Sequence, residues 1–219
     1  MPEQVQSVQR AFRILETFDA RHPTRSAADI SELVGLPRPT TYRLIHTLES
    51  LGYLRRRAGR YEPTARTLSL AATQIGAGSL ATLAQPIIAG VAEDLEEAVV
   101  VGVLDGDDVV TIAAAMPATG HYLSVSVEVG RRLPANATAL GQVLLAAANG
   151  LHSGDDHVIS EGLLEDGLRA IAVPITDEGG CVVAAVSLAV NAARVSADEL
   201  RVRCLPALRT AAAAIARPA

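Results

Sequence analysis

Over the first eighty positions, apolar residues recur at intervals of three and four, the spacing of amphipathic helices. Residues 26–51 predict two short helices joined by a tight Gly-Leu-Pro turn. Ser26 and Asp29 are spaced as a capping pair that begins the first helix. Gly35 suits a left-handed C-cap, and Pro37 cannot continue a helix. The pattern is typical of a helix-turn-helix.

The second of these helices has an apolar face and a polar face. The apolar face, which we expect to be buried, carries Thr41, Leu44, Ile45, Leu48 and Leu51. The opposite face carries Tyr42, Arg43, His46 and Ser50, with Thr40 near its edge. Side chains of these types can meet phosphates and base edges in the major groove of DNA. An ordinary solvated helical hairpin is the alternative that this segment alone leaves open.

A short arginine-rich segment follows at residues 53–63 and predicts two strands around an Ala-Gly turn. Such a hairpin after a recognition-type helix indicates a wing, since arginines on a loop often hold a phosphate backbone. For any single arginine, a solvated charged turn stays open. The predicted DNA contacts are Arg38, Thr40, Thr41, Tyr42, Arg43, His46, Arg55, Arg56, Arg57 and Arg60.

Two further helices frame this head. A first helix, expected to pack beneath the other two, is marked by Val5, Val8, Phe12, Leu15 and Phe18. Residues 64–80 predict a linker helix that ends at Gly76-Ala77-Gly78, and another helix covers about 82–95. We therefore expect a DNA-binding domain over 1–66, a linker helix over 67–80 and a second domain over 81–219.

The second domain changes period. Strands are predicted at Val99–Leu104, Val109–Ala115, Tyr122–Val127, Leu168–Ile175 and Cys181–Val190. A helix is expected at Thr138–Ala148, and Ser196 with Glu199 forms a capping box for a terminal helix over about 197–216. Strand hairpins combined with helices predict an α+β domain with an antiparallel sheet.

Charge is unevenly distributed. The formal net charge is −5, but residues 1–66 hold 11 arginines against 7 carboxylates, a balance of +4, and the remainder carries −9. Positive charge thus accompanies the helix-turn-helix, as expected for a DNA-binding head on an acidic body. No apolar run has the length of a membrane span, and two cysteines without metal or redox spacing predict a reduced, cytoplasmic protein without a metal or cofactor.

Several motifs resemble the IclR family of bacterial transcriptional regulators along nearly the whole chain. They are Ser7-Val8-Gln9-Arg10-Ala11, Gly35-Leu36-Pro37-Arg38-Pro39-Thr40, Leu48-Glu49-Ser50-Leu51-Gly52-Tyr53, Val129-Gly130-Arg131-Arg132-Leu133-Pro134, Ala137-Thr138-Ala139-Leu140-Gly141 and Gly167-Leu168-Arg169-Ala170-Ile171-Ala172-Val173-Pro174.

The resemblance implies a winged helix-turn-helix domain, a linker helix and a GAF-like effector-binding domain, assembled as a homodimer or a dimer of dimers on a double-stranded DNA operator. It implies a small organic acid or aromatic metabolite as effector. The implied pocket residues are Tyr122, Val125, Leu133, Ala139, Leu140, Leu168, Ala170, Ser187 and Ala189. For the apolar members, an ordinary core position stays open, whereas the hydroxyl of Ser187 needs a polar partner.

The chain departs from the family at three places. Pro39 stands where a serine is usual, which leaves Thr40 for the phosphate contact, and Asn136 replaces a common histidine. Residues 149–167 are much shorter than the usual insertion, which is compatible with an open pocket, a lost effector or a different assembly. Ala170 and Ala189 favour an apolar effector or none.

The chain shows no nucleophile elbow, Walker loop or HExxH, and we predict that it is not an enzyme. His152-Ser153-Gly154-Asp155-Asp156-His157 is the only cluster that resembles a catalytic or metal site, and such residues are more often solvated turn material. A GAF-like enzyme or sensor module without regulatory DNA binding is the alternative, against which the arginine-rich hairpin argues.

Overall fold

The computed structural model describes residues 5–19, 21–75, 79–119, 127–150 and 156–216. It divides into two compact units, residues 1–73 and 74–219. The predicted break at 76–78 and positions 122–126 of the predicted strand lie outside the described residues. Val127, the last residue of that predicted strand, is described and is not in a strand.

The first unit contains the predicted helix-turn-helix and hairpin. Its elements are α1 (Gln6–Leu15), α2 (Ala27–Val34), α3 (Arg38–Ser50), β1 (Leu54–Arg57), β2 (Arg60–Pro63) and α4 (Arg66–Ile75). The capping box at the start of α2 is confirmed: the Asp29 backbone N–H donates to the Ser26 hydroxyl, and the Ser26 N–H donates to the Asp29 carboxylate. Gly35 ends α2 at φ 65°. The two helices therefore begin and end where the sequence predicts.

The core of this unit differs in part from the expectation. Ile14, Ile30 and Ile45 are fully buried and pack with Leu54 and Tyr61 of the hairpin. Leu15 and Phe18 pack against this core as expected. The predicted burial of four residues is wrong, because each is more than half exposed: Val5, Val8, Phe12 and Leu51.

The second unit is a six-stranded antiparallel sheet covered by helices. Its elements are α5 (Leu80–Leu95), β3 (Ala98–Asp105), β4 (Asp108–Ala115), β5 (Arg132–Pro134), α6 (Ala139–Ala148), β6 (Val158–Glu161), β7 (Leu168–Thr176), β8 (Val182–Asn191), α7 (Ala197–Glu199) and α8 (Leu205–Ile215). The strand order is β5-β4-β3-β8-β7-β6. The predicted α+β class, the antiparallel sheet and both hairpins are confirmed.

The two faces of the sheet have different cores. Helices α5 and α8 pack on one face, where Ile88, Val186 and Leu208 are fully buried. Helix α6 packs on the other face with Leu140 and Leu144. A π-helical turn joins α7 to α8 within the predicted terminal helix.

The edge strands β5 and β6 were not predicted. β5 has three residues, and β6 lies inside the segment 149–167. Among the described residues, each pairs with a single neighbour, β5 with β4 and β6 with β7. Strands this short show too little alternation for a sequence pattern to detect, so only the pairing reveals them.

Two glycines allow α6 to lie close to its neighbours. An added Cβ at Gly141 would overlap the backbone of Ala135, in the 3₁₀ turn before α6. At Gly102 of β3, it would lie 2.7 Å from Val109 Cγ1 and 2.9 Å from Leu140 Cδ2. These close approaches bring the N-terminus of α6 against the sheet, where the cavity described below lies.

Candidate functional site

Helix α3 presents a polar face to solvent. Arg38, Tyr42, Arg43 and His46 are exposed, and Thr40 is half-buried. The His46 imidazole lies 3.4 Å from a Glu49 carboxylate oxygen. Side chains of this kind can accept and donate hydrogen bonds at base edges, as major-groove contact requires.

Thr41 is a correction to the predicted contact set. Its side chain is fully buried and its hydroxyl donates to the Pro37 carbonyl at 3.3 Å. The predicted DNA contact by Thr41 is therefore wrong, because α3 places this side chain in the core of the unit.

The hairpin after α3 is closed by a two-residue turn. Ala58 and Gly59 both have positive φ, at 49° and 80°. Positive φ at both central residues defines the type I′ turn, whose twist matches that of paired strands. The predicted Ala-Gly hairpin is thus confirmed, and it presents β1 and β2 as a wing beside α3.

The four wing arginines are not equivalent. Arg55 is paired with Glu62, 2.6 Å from its carboxylate. Arg60 donates to the Thr24 carbonyl and hydroxyl, each at 3.0 Å, and lies 3.4 Å from Asp29. The Arg56 guanidinium lies 5.9 Å from the centre of the Tyr61 ring. For Arg57, the described part of the chain offers no ion pair or hydrogen bond by its side chain.

Arg60 also belongs to the electrostatics of the α2 cap. The pKa of Asp29 is held below its ordinary value, first by hydrogen bonds from the Ser26 backbone and side chain and then by the charges of Arg60 and Arg25. Asp29 is consequently ionised at neutral pH, and its carboxylate pairs with the Arg60 guanidinium beside the turn of the wing.

The second unit contains an apolar cavity of about 90 Å³ between the sheet and the N-terminus of α6. Seven predicted pocket residues line it together: Leu133, Ala139, Leu140, Leu168, Ala170, Ser187 and Ala189. The other two, Tyr122 and Val125, lie outside the described residues. The structure thus brings the described members of the predicted set into one place.

Sequence reasoning missed most of the polar residues of this cavity. Thr111, Arg131 and Ser160 also line it. Thr111 and Ser187 are residues with 8% and 5% of their surface exposed, and within the described residues neither hydroxyl has a hydrogen-bond partner. A hydroxyl that borders an apolar cavity can donate to or accept from a bound molecule, so the two groups are suited to a polar ligand.

A β-bulge explains how Thr111 reaches the cavity. Along β4, strict alternation would place Thr111 on the same face as Ala113. In the observed register Ile112 has no partner in β3: Ala113 is paired with Val101, and Thr111 is paired with Gly102. Successive residues of β3 point to opposite faces, and the bulge therefore turns Thr111 to the α6 face.

The predicted cluster at 152–157 is described only at its end. Asp156 is paired with Arg209 of α8 at 2.5 Å, and His157 lies 3.4 Å from the same carboxylate. Residues 152–155 lie outside the described residues. Across the described ranges, no group of three His, Cys, Asp or Glu side chains is placed to hold a metal ion. No helix among those ranges is long and apolar enough to cross a bilayer.

Comparison with known proteins extends these observations. Residues 7–58 match the family model of the IclR helix-turn-helix domain. Residues 73–153 and 159–217 match that of the bacterial transcriptional regulator IclR C-terminal domain. The Pca regulon regulatory protein of Pseudomonas putida is 32% identical, over 96% of this chain and 82% of its own length.

Two solved structures resemble both units. A transcriptional regulator from Rhodococcus sp. RHA1 is 30% identical, with a TM-score of 0.75 and coverage of 97% of each chain. An IclR homologue from Microbacterium hydrocarbonoxydans, solved with 4-hydroxybenzoate, is 25% identical, with a TM-score of 0.78. It covers 96% of this chain and 97% of its own.

A winged helix-turn-helix joined to a sheet domain of this kind is the architecture of a DNA-binding transcriptional regulator. With both domain models matched, the chain belongs to the IclR family of bacterial transcriptional regulators.

Proposed function

We propose that this regulator binds a pseudo-palindromic operator as a homodimer and that a small organic acid or aromatic metabolite, bound in the α6 cavity, controls that binding. The observation that carries the DNA part is the exposed polar face of α3 beside an arginine-rich wing. The observation that carries the effector part is an apolar cavity lined by Thr111 and Ser187, whose hydroxyls have no hydrogen-bond partner among the described residues.

On the DNA, we assign base contacts to the exposed face of α3, principally Arg43 and His46. Arg38, Thr40 and Tyr42 flank them on the same helix. Losing a base contact costs about 1–3 kcal/mol and relaxes specificity at one position. Pro39 has no N–H to offer a phosphate, so Thr40 is the hydroxyl at the start of α3 that we expect to serve.

On the wing, we assign phosphate contacts first to Arg57 and Arg56. Arg55 and Arg60 are already paired with Glu62 and Asp29, and a phosphate would have to share or replace those carboxylates. Exchange of one anion for another yields less than a new contact does. We therefore expect unequal contributions from the four arginines.

The test is a gel shift on upstream DNA across a salt series. Arg57→Ala should weaken binding to all sequences similarly and reduce the salt slope by about 1. Arg55→Ala is the matched control on the same strand, and its slope should change less. An unchanged slope for a variant lacking all four wing arginines would exclude the phosphate assignment.

For the effector, the relative from Microbacterium was solved with 4-hydroxybenzoate, which supports a ligand of similar size here. Leu133, Leu140 and Leu168 would contact its apolar part, and Ser187 one of its oxygens. Backbone N–H groups in the turn at Asn136–Thr138 are a second source of donors. A tenfold change in DNA affinity requires about 1.4 kcal/mol of coupling between the two sites.

Filling the cavity tests this assignment. Ala170→Phe should abolish the thermal stabilisation by organic acids and aromatic metabolites, and leave DNA binding of the unliganded protein intact. Ala193→Phe is the control, since Ala193 is exposed and outside the cavity lining. A compound that stabilises wild type and Ala170→Phe equally binds elsewhere.

A dimer is supported by an exposed apolar groove in the first unit. Its main apolar members are Val8 and Phe12 of α1, Leu44 of α3, Leu51 directly after α3, and Leu70 of α4. Thr40 and Arg43, assigned above to DNA, also border it, so we assign the dimer contact to its α1 and α4 side. An exposed patch of this kind marks a contact surface. Two-fold symmetry would also double the base and phosphate contacts available to one winged head.

A further inference from the structure

A second groove of the sheet domain lies at the opposite end of α6 from the effector cavity. It has a volume of about 410 Å³, and among the described residues it shares no lining residue with that cavity. The end of β3, the beginning of β8 and the last turns of α6 form it. Its main apolar residues are Val103, Leu104, Val182, Val183, Leu144 and Ala147.

The groove lies where the ladder between β3 and β8 stops before either strand ends. The last pair is Gly102 with Ala185, although β3 continues for three further residues and β8 begins three residues earlier. Continued in the same register, the ladder would pair Leu104 with Val183. The ladder between β7 and β8 also omits Val183. Strand positions without a partner are a template for the backbone of another extended segment.

Apolar side chains remain in contact with water at this place. Val183 is 41% exposed. Leu104 and Val182 are half-buried and pack against the core on the α6 side of the sheet. An extended segment placed in the groove would therefore pair its backbone with the sheet and bury apolar side chains against α6.

The rim of the groove is acidic. The turn that follows β3 and the turn that precedes β8 carry five carboxylates: Asp105, Asp107, Asp108, Asp177 and Glu178. Within the described part of the chain, Arg132 is the only cation paired with any of them, and its partners are Asp105 and Asp108. A segment that complements this rim carries basic residues on either side of its apolar part.

We propose that this groove binds an extended segment of a partner protein in which basic residues flank an apolar centre. The proposal is independent of the DNA and effector assignments. A second copy of this chain fits the groove less well, because two-fold symmetry would place one acidic rim against another. The small groove and its exposed charges predict a transient contact that salt weakens.

Peptide binding tests the proposal. The probes are the acetylated and amidated pentapeptides Arg-Val-Thr-Val-Arg and Arg-Leu-Thr-Leu-Arg, titrated into the full chain by calorimetry at two salt concentrations. Wild type should bind at least one of them about tenfold more tightly than the same peptide with glutamate in place of both arginines. N-methylation of the three central residues, which removes their N–H donors, should weaken binding by a similar factor. Higher salt should weaken binding as well.

A variant and a protection experiment locate the site. Val183→Lys places a positive charge in the groove and should weaken binding of the basic peptides at least tenfold. Val202→Lys is the matched control, because Val202 is 80% exposed and does not line the groove. Cys181 is exposed and borders the groove, whereas Cys204 is buried. Bound peptide should therefore slow the alkylation of Cys181 by iodoacetamide.

The outcomes separate the possible occupants. Absence of binding by both basic peptides at millimolar concentration would overturn the proposal. Equal binding by Val183→Lys, or by the N-methylated peptide, would overturn it too, because the site or the backbone pairing would then be wrong. A self-associated wild type whose mass falls only in Val183→Lys would assign the groove to a second copy instead. Operator and effector binding should be unchanged in Val183→Lys, which shows that this variant is folded.

Discussion

Glu97 is the most deeply buried charged residue that the structure describes, with 1% of its surface exposed. It precedes β3 and forms an ion pair with Arg194, which follows β8. Within the described residues, neither carboxylate oxygen has a further hydrogen-bond partner. Burial removes the hydration of the Glu97 carboxylate. Within the described residues, Arg194 is therefore the group that stabilises this charge in the folded state.

Removing that arginine should therefore be costly. We expect Arg194→Ala to lower the free energy of unfolding by about 3–5 kcal/mol, because an unpaired charge stays buried. Urea denaturation measures the change. The control is Arg201→Ala, which removes an exposed pair with Asp198 and should change the free energy by less than about 1 kcal/mol. Equal effects of the two variants would contradict the role of Glu97.

At the scale of elements, the wing hairpin contains a strained residue. Ala58 adopts φ 49°, a left-handed conformation that is unfavourable for residues with a Cβ other than asparagine and aspartate. The type I′ turn requires this conformation. The pairing of β1 with β2 in register therefore offsets the strain at Ala58.

Ala58→Asn should accordingly stabilise the first unit, by about 0.5–1 kcal/mol, since asparagine tolerates the left-handed region. Gly59→Ala, at φ 80° in the same turn, should destabilise it, although an added Cβ would meet no atom within 4 Å. Thermal denaturation of both variants measures the pair of opposite shifts. Stabilisation by Gly59→Ala would show that the turn is not of this type.

Two helical glycines provide a second comparison between elements. In α5, Gly90 is exposed and an added Cβ would meet nothing within 4 Å, so Gly90→Ala should stabilise the protein by about 0.5–1 kcal/mol. In α6, Gly141→Ala would overlap Ala135 and should destabilise by about 1–3 kcal/mol. Chemical denaturation gives both values. We also expect Gly141→Ala to weaken effector binding, because α6 borders the cavity.

At the scale of the whole molecule, the proposed dimer depends on the apolar groove of the first unit. Phe12 is 53% exposed on α1, so Phe12→Asp should leave the fold of the monomer intact and lower the mass measured by light scattering. Leu33→Asp is the matched control, because Leu33 is 52% exposed on α2 and does not line the groove. Wild type that is monomeric at micromolar concentration yet fully competent for operator binding would contradict the dimer.

Local patterns were sufficient for much of the fold. The capping box of α2, the C-cap at Gly35 and the Ala-Gly turn depend on neighbouring residues alone, so their sequence signals are nearly complete. The antiparallel hairpins of the second unit follow from the same kind of evidence. Motif resemblance, rather than periodicity, supplied the set of pocket residues.

Contacts between distant residues were decided only by the tertiary structure. The register of β3 and β4 turns Thr111 toward the cavity, whereas alternation along the chain would assign it to the other face. In the sequence, Arg55, Arg57 and Arg60 look equivalent. The folded structure pairs Arg55 with Glu62 and Arg60 with Asp29. On α1, two apolar stripes compete, and packing buries Ile14 and leaves Phe12 exposed. The sequence thus determined where helices, turns and most strands form, because these elements depend on local interactions. The tertiary structure decided which side chains remain available to a ligand, because that depends on what distant parts of the chain place against them.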